Sequence, residues 1–227
     1  MIPLQDDTAS DSKPYVTIAL IAACVAVFLW QRSLDPAAGR RVVDALGAIP
    51  AVLLTHARLP PDLQWVPRFA TPFTAMFLHA GWLHLLGNML YLWIYGDNVE
   101  DSLGHWRYLA FYAVCGTAAV LAQALSAPQS AYPIIGASGA ISGVLGAYLL
   151  LFPRARVLTL VLLPFFFTTL RLPAMWLLLL WFAAQLVSDL TLQDGGAGVA
   201  FRAHIGGFLT GMLLVPLFKR REVSLFA

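Results

Sequence analysis

Charged side chains are scarce in this chain, and the shortage decides its class. Lys and Arg number 14 and Asp and Glu 12, together 11% of 227 residues against 59% apolar, where soluble domains carry about 25% charge. Mean hydropathy is +0.75. This balance excludes an ordinary soluble domain and points to a polytopic membrane protein. The net charge of +2 is scattered, which leaves no basic patch for nucleic acid. Cysteine is nearly lacking as well. Cys24 and Cys115 both sit inside apolar runs, without metal-ligand spacing, and read as core residues rather than a disulfide or a metal site. No His-Glu-x-x-His sequence occurs, so no zinc site is expected. Asp6, Asp7 and Asp11 precede the first apolar run with only Lys13 to balance them. That is the wrong sign for a signal peptide or presequence, so the run is read as a retained span. There is no internal repeat and no low-complexity tract. One membrane domain, 14–218, is expected between short tails 1–13 and 219–227.

Long apolar runs are what the chain has in abundance. A spanning helix needs roughly 20 mostly apolar residues, and six segments qualify or nearly do: 14–31, 75–95, 106–125, 134–152, 173–192 and 203–218. Trp30, Trp82, Tyr95, Trp106 and Trp176 stand near their ends, as in an interfacial aromatic belt. The predicted fold is an all-α bundle of six transmembrane helices with a long first loop, 33–71. That loop holds Pro36, Pro50, Pro60, Pro61 and Pro67, so it is not one helix. Its stretch 40–54 mixes charged and apolar residues in a way that suits the membrane surface. The apolar run 157–170 is fourteen residues long, a length more often interfacial than spanning. Reading it as non-spanning makes the fourth and sixth helices start from the same side.

Lys13, Arg107, Arg154, Arg156, Arg171, Lys219, Arg220 and Arg221 then fall on the side of the termini, and the short loops opposite hold only Arg202. The long first loop adds Arg32, Arg40, Arg41, Arg58 and Arg68 to the outer side. The balance predicts cytoplasmic termini, in a bacterial-type plasma membrane.

Strongly polar side chains inside spans are costly and tend to mark function. The even-numbered helices carry theirs near one end. His84 and Asn88 lie four apart on the second, Ser138 opens the fourth, and His204 opens the sixth. Taken alone, Ser138 reads equally well as a small packing residue in Gly136-Ala-Ser-Gly-Ala-Ile-Ser-Gly143. The agreement in depth among Ser, two His and Asn is what argues for chemistry. A Ser hydroxyl needs a base, His is the usual one, and an oxyanion needs fixed donors. Ser138 N–H at a helix start, the Asn88 amide and a His84 ring N–H can supply those. The small-xxx-small patterns Gly139–Gly143 and Gly207–Gly211 let the fourth and sixth helices approach closely.

Three stretches resemble the rhomboid family of intramembrane serine proteases: Gly136-Ala-Ser-Gly139, His79-Ala-Gly-Trp-Leu-His84-Leu-Leu-Gly-Asn88, and Ala203-His-Ile-Gly-Gly207. The likeness runs from about Pro72 to Phe218, with the motifs in family order and spacing. It implies a six-helix core, a Ser138–His204 dyad, and an oxyanion site from the Ser138 backbone, Asn88 and His84. It implies cleavage of membrane-anchored proteins in or near a transmembrane segment, with the lipid bilayer and transmembrane substrates as partners and no cofactor. The alternative reading is a catalytically inactive relative that binds membrane proteins and guides their traffic; a small transporter is disfavoured, because the polar residues cluster at one end. Two positions depart from the family. Ser142 stands where some members stack an aromatic ring on the catalytic His. Trp65 and Arg68 are two residues apart where many members carry an adjacent pair.

Accessory candidates complete the reading. Gly136 and Gly139 flank the nucleophile. His79 can bond the loop near it. Asp189, with Gln185 one turn away, can orient His204 as a third member. Asp194-Gly-Gly-Ala-Gly198 resembles a loop that covers the active site in the family. His56 and His105 are expected at the surface, and 97–101 is expected to end the second helix and cap the next.

Overall fold

The computed structural model describes residues 1–162, 166–191 and 200–226. Its long helices are α1 (Tyr15–Ser33), α5 (Trp82–Leu103), α6 (His105–Ser126), α7 (Ser138–Leu151), α8 (Ala174–Thr191) and α9 (Phe201–Phe218). Short helices α2 (Pro36–Leu46), α3 (Pro50–Leu54) and α4 (Thr71–Thr74) break up the first connection. Among the described residues, α1, α6, α8 and α9 are long and apolar enough to cross a membrane. In α5 the last turns carry Asp97, Glu100 and Asp101, and α7 has only 14 residues. The polytopic helical membrane fold expected from composition is the observed one.

Helix α7 forms the centre. Its sequence is apolar or small on every side, so no face prefers water, and twelve of its fourteen residues are buried. It packs against α9 backbone to backbone: a Cβ at Gly207 would overlap the Gly139 carbonyl oxygen, and one at Gly211 the Gly143 oxygen. The two small-residue patterns therefore face each other in register. Cys115 of α6 fills the space beside Gly143, and both cysteines are buried and free.

The described parts of the run 157–170 are strand rather than a spanning helix. They belong to β2 (Arg156–Leu162) and β3 (Phe167–Pro173), which pair antiparallel, and β1 (Ile2–Asp6) joins the open edge of β2. The β-branched content of Val157, Thr159, Val161, Thr168 and Thr169 suits strands, and Val157 and Thr159 point into the protein. The third strand comes from the far end of the chain, where no local pattern announces it. The hairpin leaves the chain where it started: Ala174 N donates to Ala155 O at 2.7 Å, so α8 begins at the end where α7 stops. The helices α7 and α9 accordingly start from one end, here called the site end, and the sheet marks the other.

The sheet end is densely bonded. Helix α1 has no side-chain cap of its own. Glu100, fully buried, caps it instead, accepting from Val16 N at 2.9 Å and Thr17 N at 2.7 Å, with His105 Nδ1 at 2.6 Å from its carboxylate. Residues 97–101 thus lie within α5, while Gly104 connects α5 to α6. His105 belongs to this cluster rather than to the open surface. The carboxyl-terminal segment folds back, with Phe226 N donating to Leu150 O at 2.7 Å. Of the expected aromatic belt, Trp30, Trp82, Trp106 and Trp176 are exposed, but Tyr95 is buried edge-on against Tyr148 at 4.9 Å.

Candidate active site

Three helix starts meet at the site end. Ser138 is the first residue of α7, so its N–H has no partner within the helix. His204, 9% exposed, sits in the first turn of α9. Its Nε2 lies 2.8 Å from Ser138 Oγ. This approach follows from the glycine contact of α7 and α9, because Ser138 directly precedes Gly139 and His204 lies three residues before Gly207, the two glycines that meet. Helix α6 adds a brace, as Gln123 Oε1 accepts from Ala203 N at 3.3 Å.

The other face of the His204 ring is set by α8. Nδ1 lies 2.8 Å from Gln185 Oε1. An amide oxygen only accepts, so Nδ1 carries the proton and the neutral Nε2 is left to accept from Ser138 Oγ–H. Trp181, one turn before Gln185, places its ring 5.9 Å from the imidazole at 36°. Asp189 does not reach His204: its carboxylate takes Arg202 Nε at 2.9 and 3.1 Å. The third-member role considered for Asp189 is therefore not seen, and Gln185 occupies that position. The arrangement was half visible in sequence, since a polar residue four from Asp189 lies on the same helix face. Ser142 spends its hydroxyl on its own helix, donating to Ser138 O at 2.7 Å.

Asn88 and His84 come from α5. Asn88 is 8% exposed, and its Nδ2 is buried with no acceptor among the described residues. A buried amide N–H left unpaired costs about 1–3 kcal/mol, so such a donor marks a place where an acceptor belongs. His84 Nδ1 accepts from Ala80 N at 3.4 Å, which puts the ring proton on Nε2. That Nε2 lies against Gly136: a Cβ there would sit 2.6 Å from it, and Gly136 has φ +116°. Both the space and the backbone angle require glycine. Gly139 is needed for a different reason, its missing side chain making room for Ala119 of α6.

His79 lies just outside. It is 3% exposed, its N–H donates to Gln31 Oε1 at 3.1 Å, and its ring packs edge-on against His84 at 5.1 Å. It supports His84 and does not touch Ser138. A cavity of about 20 Å³ opens beside Ser138, lined by Gly116, Ala119, Gly139, Ala140 and other residues; that is room for about one water or a methyl group. Trp65 and Arg68 are elsewhere. Trp65 Nε1 donates to Asp62 O at 2.9 Å and Arg68 to Thr55 O at 3.3 Å. Both line a cavity of about 600 Å³ in the first connection that none of the site residues shares. His56 lines the same cavity. The 194–198 loop falls outside the described residues. No group of three or more His, Cys, Asp or Glu able to hold a metal occurs among the described residues.

The chemistry open to this arrangement is that of a hydroxyl held by an imidazole base, with unpaired N–H donors on the same side. Comparison with known proteins gives the same direction. Residues 67–221 match the Rhomboid domain family. The chain is 33% identical over 139 residues to the Rhomboid protease GluP of Bacillus subtilis, covering 61% of this chain and 25% of that protein. It is 33% identical over 143 residues to the mitochondrial Rhomboid protein 1 of Saccharomyces cerevisiae, covering 60% and 38%. It is 38% identical over 76 residues to RHOMBOID-like protein 5 of Arabidopsis thaliana, covering 34% and 25%. The matched stretch thus spans between a quarter and 38% of these relatives' lengths.

Proposed function

The chain belongs to the rhomboid family, and from that premise we propose that it is an intramembrane serine endopeptidase. It cuts membrane-anchored proteins in or near a transmembrane segment. The observation that carries the reading is the 2.8 Å approach of His204 Nε2 to Ser138 Oγ, with Asn88 Nδ2, which has no partner among the described residues, at the same end of the bundle.

In this reaction Ser138 Oγ attacks the scissile carbonyl carbon while its proton passes to His204 Nε2. The oxyanion draws on Ser138 N–H, Asn88 Nδ2–H and His84 Nε2–H, three donors fixed before substrate arrives. Collapse of the tetrahedral intermediate breaks the C–N bond, and His204 returns the proton to the leaving amine. Water, activated by His204, then attacks the acyl ester and frees Ser138. The residues themselves hold every proton that moves.

A substrate helix must open before its amide can reach Ser138, because a helical peptide group is shielded by its own turn and already bonded. Segments with Gly, Pro or polar residues near the interface therefore suit the site. The methyl-sized cavity beside Ser138 favours small side chains next to the cut. The excess of Lys and Arg at the sheet end supports cytoplasmic termini in a bacterial-type plasma membrane, with the site end outward.

The test is labelling of the purified protein by a fluorophosphonate, together with cleavage of a membrane-anchored reporter. Wild type is expected to label and cut. A wild type that does neither removes the protease reading and leaves a binding factor for membrane proteins. Labelling that persists in Ser138→Ala means that another residue is the nucleophile.

A further inference from the structure

Starting from the protease reading above, we propose that Gln185 is the positioning residue for His204: a neutral side chain of α8 that fixes the imidazole tautomer and orientation in place of a carboxylate or a stacked ring. The observation is the 2.8 Å contact between Gln185 Oε1 and His204 Nδ1.

Three features single it out. The place four residues after the nucleophile, Ser142, has no ring to offer and bonds its own helix. The carboxylate within reach in sequence, Asp189, is held by Arg202 Nε. What remains against the ring is one face of α8, where Trp181, Gln185 and Asp189 follow at intervals of four residues and all meet α9: Trp181 the ring of His204, Gln185 its Nδ1, and Asp189 the neighbouring Arg202. Residues at that spacing lie along one stripe, so one docked helix sets the ring's tilt, its protonated nitrogen and its distance from Ser138 together.

The chemistry explains why a glutamine suffices. A His with its proton on the wrong nitrogen cannot accept from a serine, and this fault alone is severely damaging in serine proteases. An amide oxygen at Nδ1 prevents it. Being neutral, the amide gives little electrostatic support to the imidazolium that forms when Ser138 loses its proton. The charged and titratable groups facing the ring are His84 from α5 and the Asp189–Arg202 pair, which is internally compensated. A carboxylate at position 185 adds charge that nothing else on the ring supplies.

The experiment uses the full chain in detergent, with Gln185→Met and Gln185→Glu beside wild type. The readouts are fluorophosphonate labelling rate against pH, kcat and KM for a membrane-anchored reporter, and 15N imidazole shifts of His204. Expected for wild type is the Nδ1–H tautomer. Q185M mixes the tautomers and lowers kcat and the labelling rate roughly 10- to 100-fold, with KM unchanged within about twofold. Q185E keeps the acceptor, restores most of the rate, and moves the acid limb of the labelling profile to higher pH, because a neighbouring carboxylate favours the imidazolium. A wild-type spectrum showing the Nε2–H tautomer overturns the proposal, as does a folded Q185M with wild-type tautomer and rate. Should Q185M fail to fold, the wild-type spectrum and the Q185E acid limb still decide: an unmoved limb overturns it. Failure of the protease reading shows differently, as absent labelling of wild type, and the tautomer measurement stands apart from it.

Discussion

The two ends of the bundle differ in how they treat their most buried polar side chains. At the sheet end Glu100, with no exposure, is met by two backbone N–H groups and His105. Asn98 Nδ2 bonds both Thr8 O and Ser10 Oγ; its Oδ1 and Arg220 Nε lack a hydrogen bond among the described residues, although the Arg220 guanidinium lies 3.6 Å from the Asp101 and Glu222 carboxylates. At the site end Asn88 Nδ2 is a buried donor with no partner among the described residues, and Ser138 N–H stands at an uncapped helix start. Satisfied groups hold a structure together, whereas unpaired donors lower its stability until something fills them. The sheet end is therefore built for stability, while the site end keeps donors open, as the proposed reaction requires for the negative charge it develops. Helix α5 serves both, polar at each end for different reasons.

Substitutions at the two ends should separate these roles. The largest effect belongs to the site end: Ser138→Ala or His204→Ala is expected to lower reporter cleavage by about 10⁴-fold or more while the unfolding midpoint stays near wild type. Next comes the sheet end. Glu100→Ala strands Val16 N, Thr17 N and the His105 ring, and should reduce unfolding free energy by about 3 kcal/mol, read by denaturant titration in detergent. Its labelling rate, measured well below the melting temperature, should stay within about threefold of wild type. A mutant that is stable but inactive would break the comparison.

Asn88→Ala tests the site end again at smaller scale. Loss of one oxyanion donor predicts a fall in kcat of about 100-fold, with stability equal to or above wild type, because the amide removed has no partner to lose. Destabilisation by a kcal/mol or more would show that the unpaired donor is a structural feature after all. The smallest effect concerns Asp6, the last residue of β1, whose carboxyl accepts from Tyr148 Oη. Burial raises its pKa, more than the bonds from Tyr148 and Thr8 lower it. The neutral acid is thus favoured in the folded state. Its stabilising contribution is complete below the ordinary carboxylate value and is lost as pH rises through the raised one. Thermal midpoints measured from about pH 3.5 upward should show this decline in wild type, and Asp6→Asn should flatten it.

Much of this molecule was legible before any coordinates. Helices α1, α6, α8 and α9 followed from apolar length, whereas α5 begins seven residues after the start of the apolar run 75–95 and ends in charged turns. The close α7–α9 seam followed from glycines four apart, and the meeting of Ser138 with His204 from two helices that begin at the same end. The hairpin was not legible as such. Its fourteen apolar residues pass the test for exclusion from the membrane core but say nothing of pairing with residues 2–6, some 150 positions away. Glu100 was misplaced for a similar reason: acidic residues near a helix end look like a local cap, and nothing nearby shows that they cap a different helix. Gln185 lay in view beside Asp189, and charge made the aspartate the more visible candidate. In the folded protein Arg202, two residues before His204, has already taken that charge.

The sequence by itself determined that this is a membrane protein, which helices touch most closely, and which side chains can do chemistry. These follow from solvent preference, residue size and residue type, which are properties of single positions and their spacing. Only the tertiary structure decided which acceptor holds His204, which donors stay unpaired, and that a strand from residues 2–6 closes the sheet. Those outcomes depend on competition among groups brought together from distant parts of the chain. A carboxylate satisfied by one arginine is no longer available to a histidine 2 residues further on, and no reading of either residue alone reveals which of them it meets.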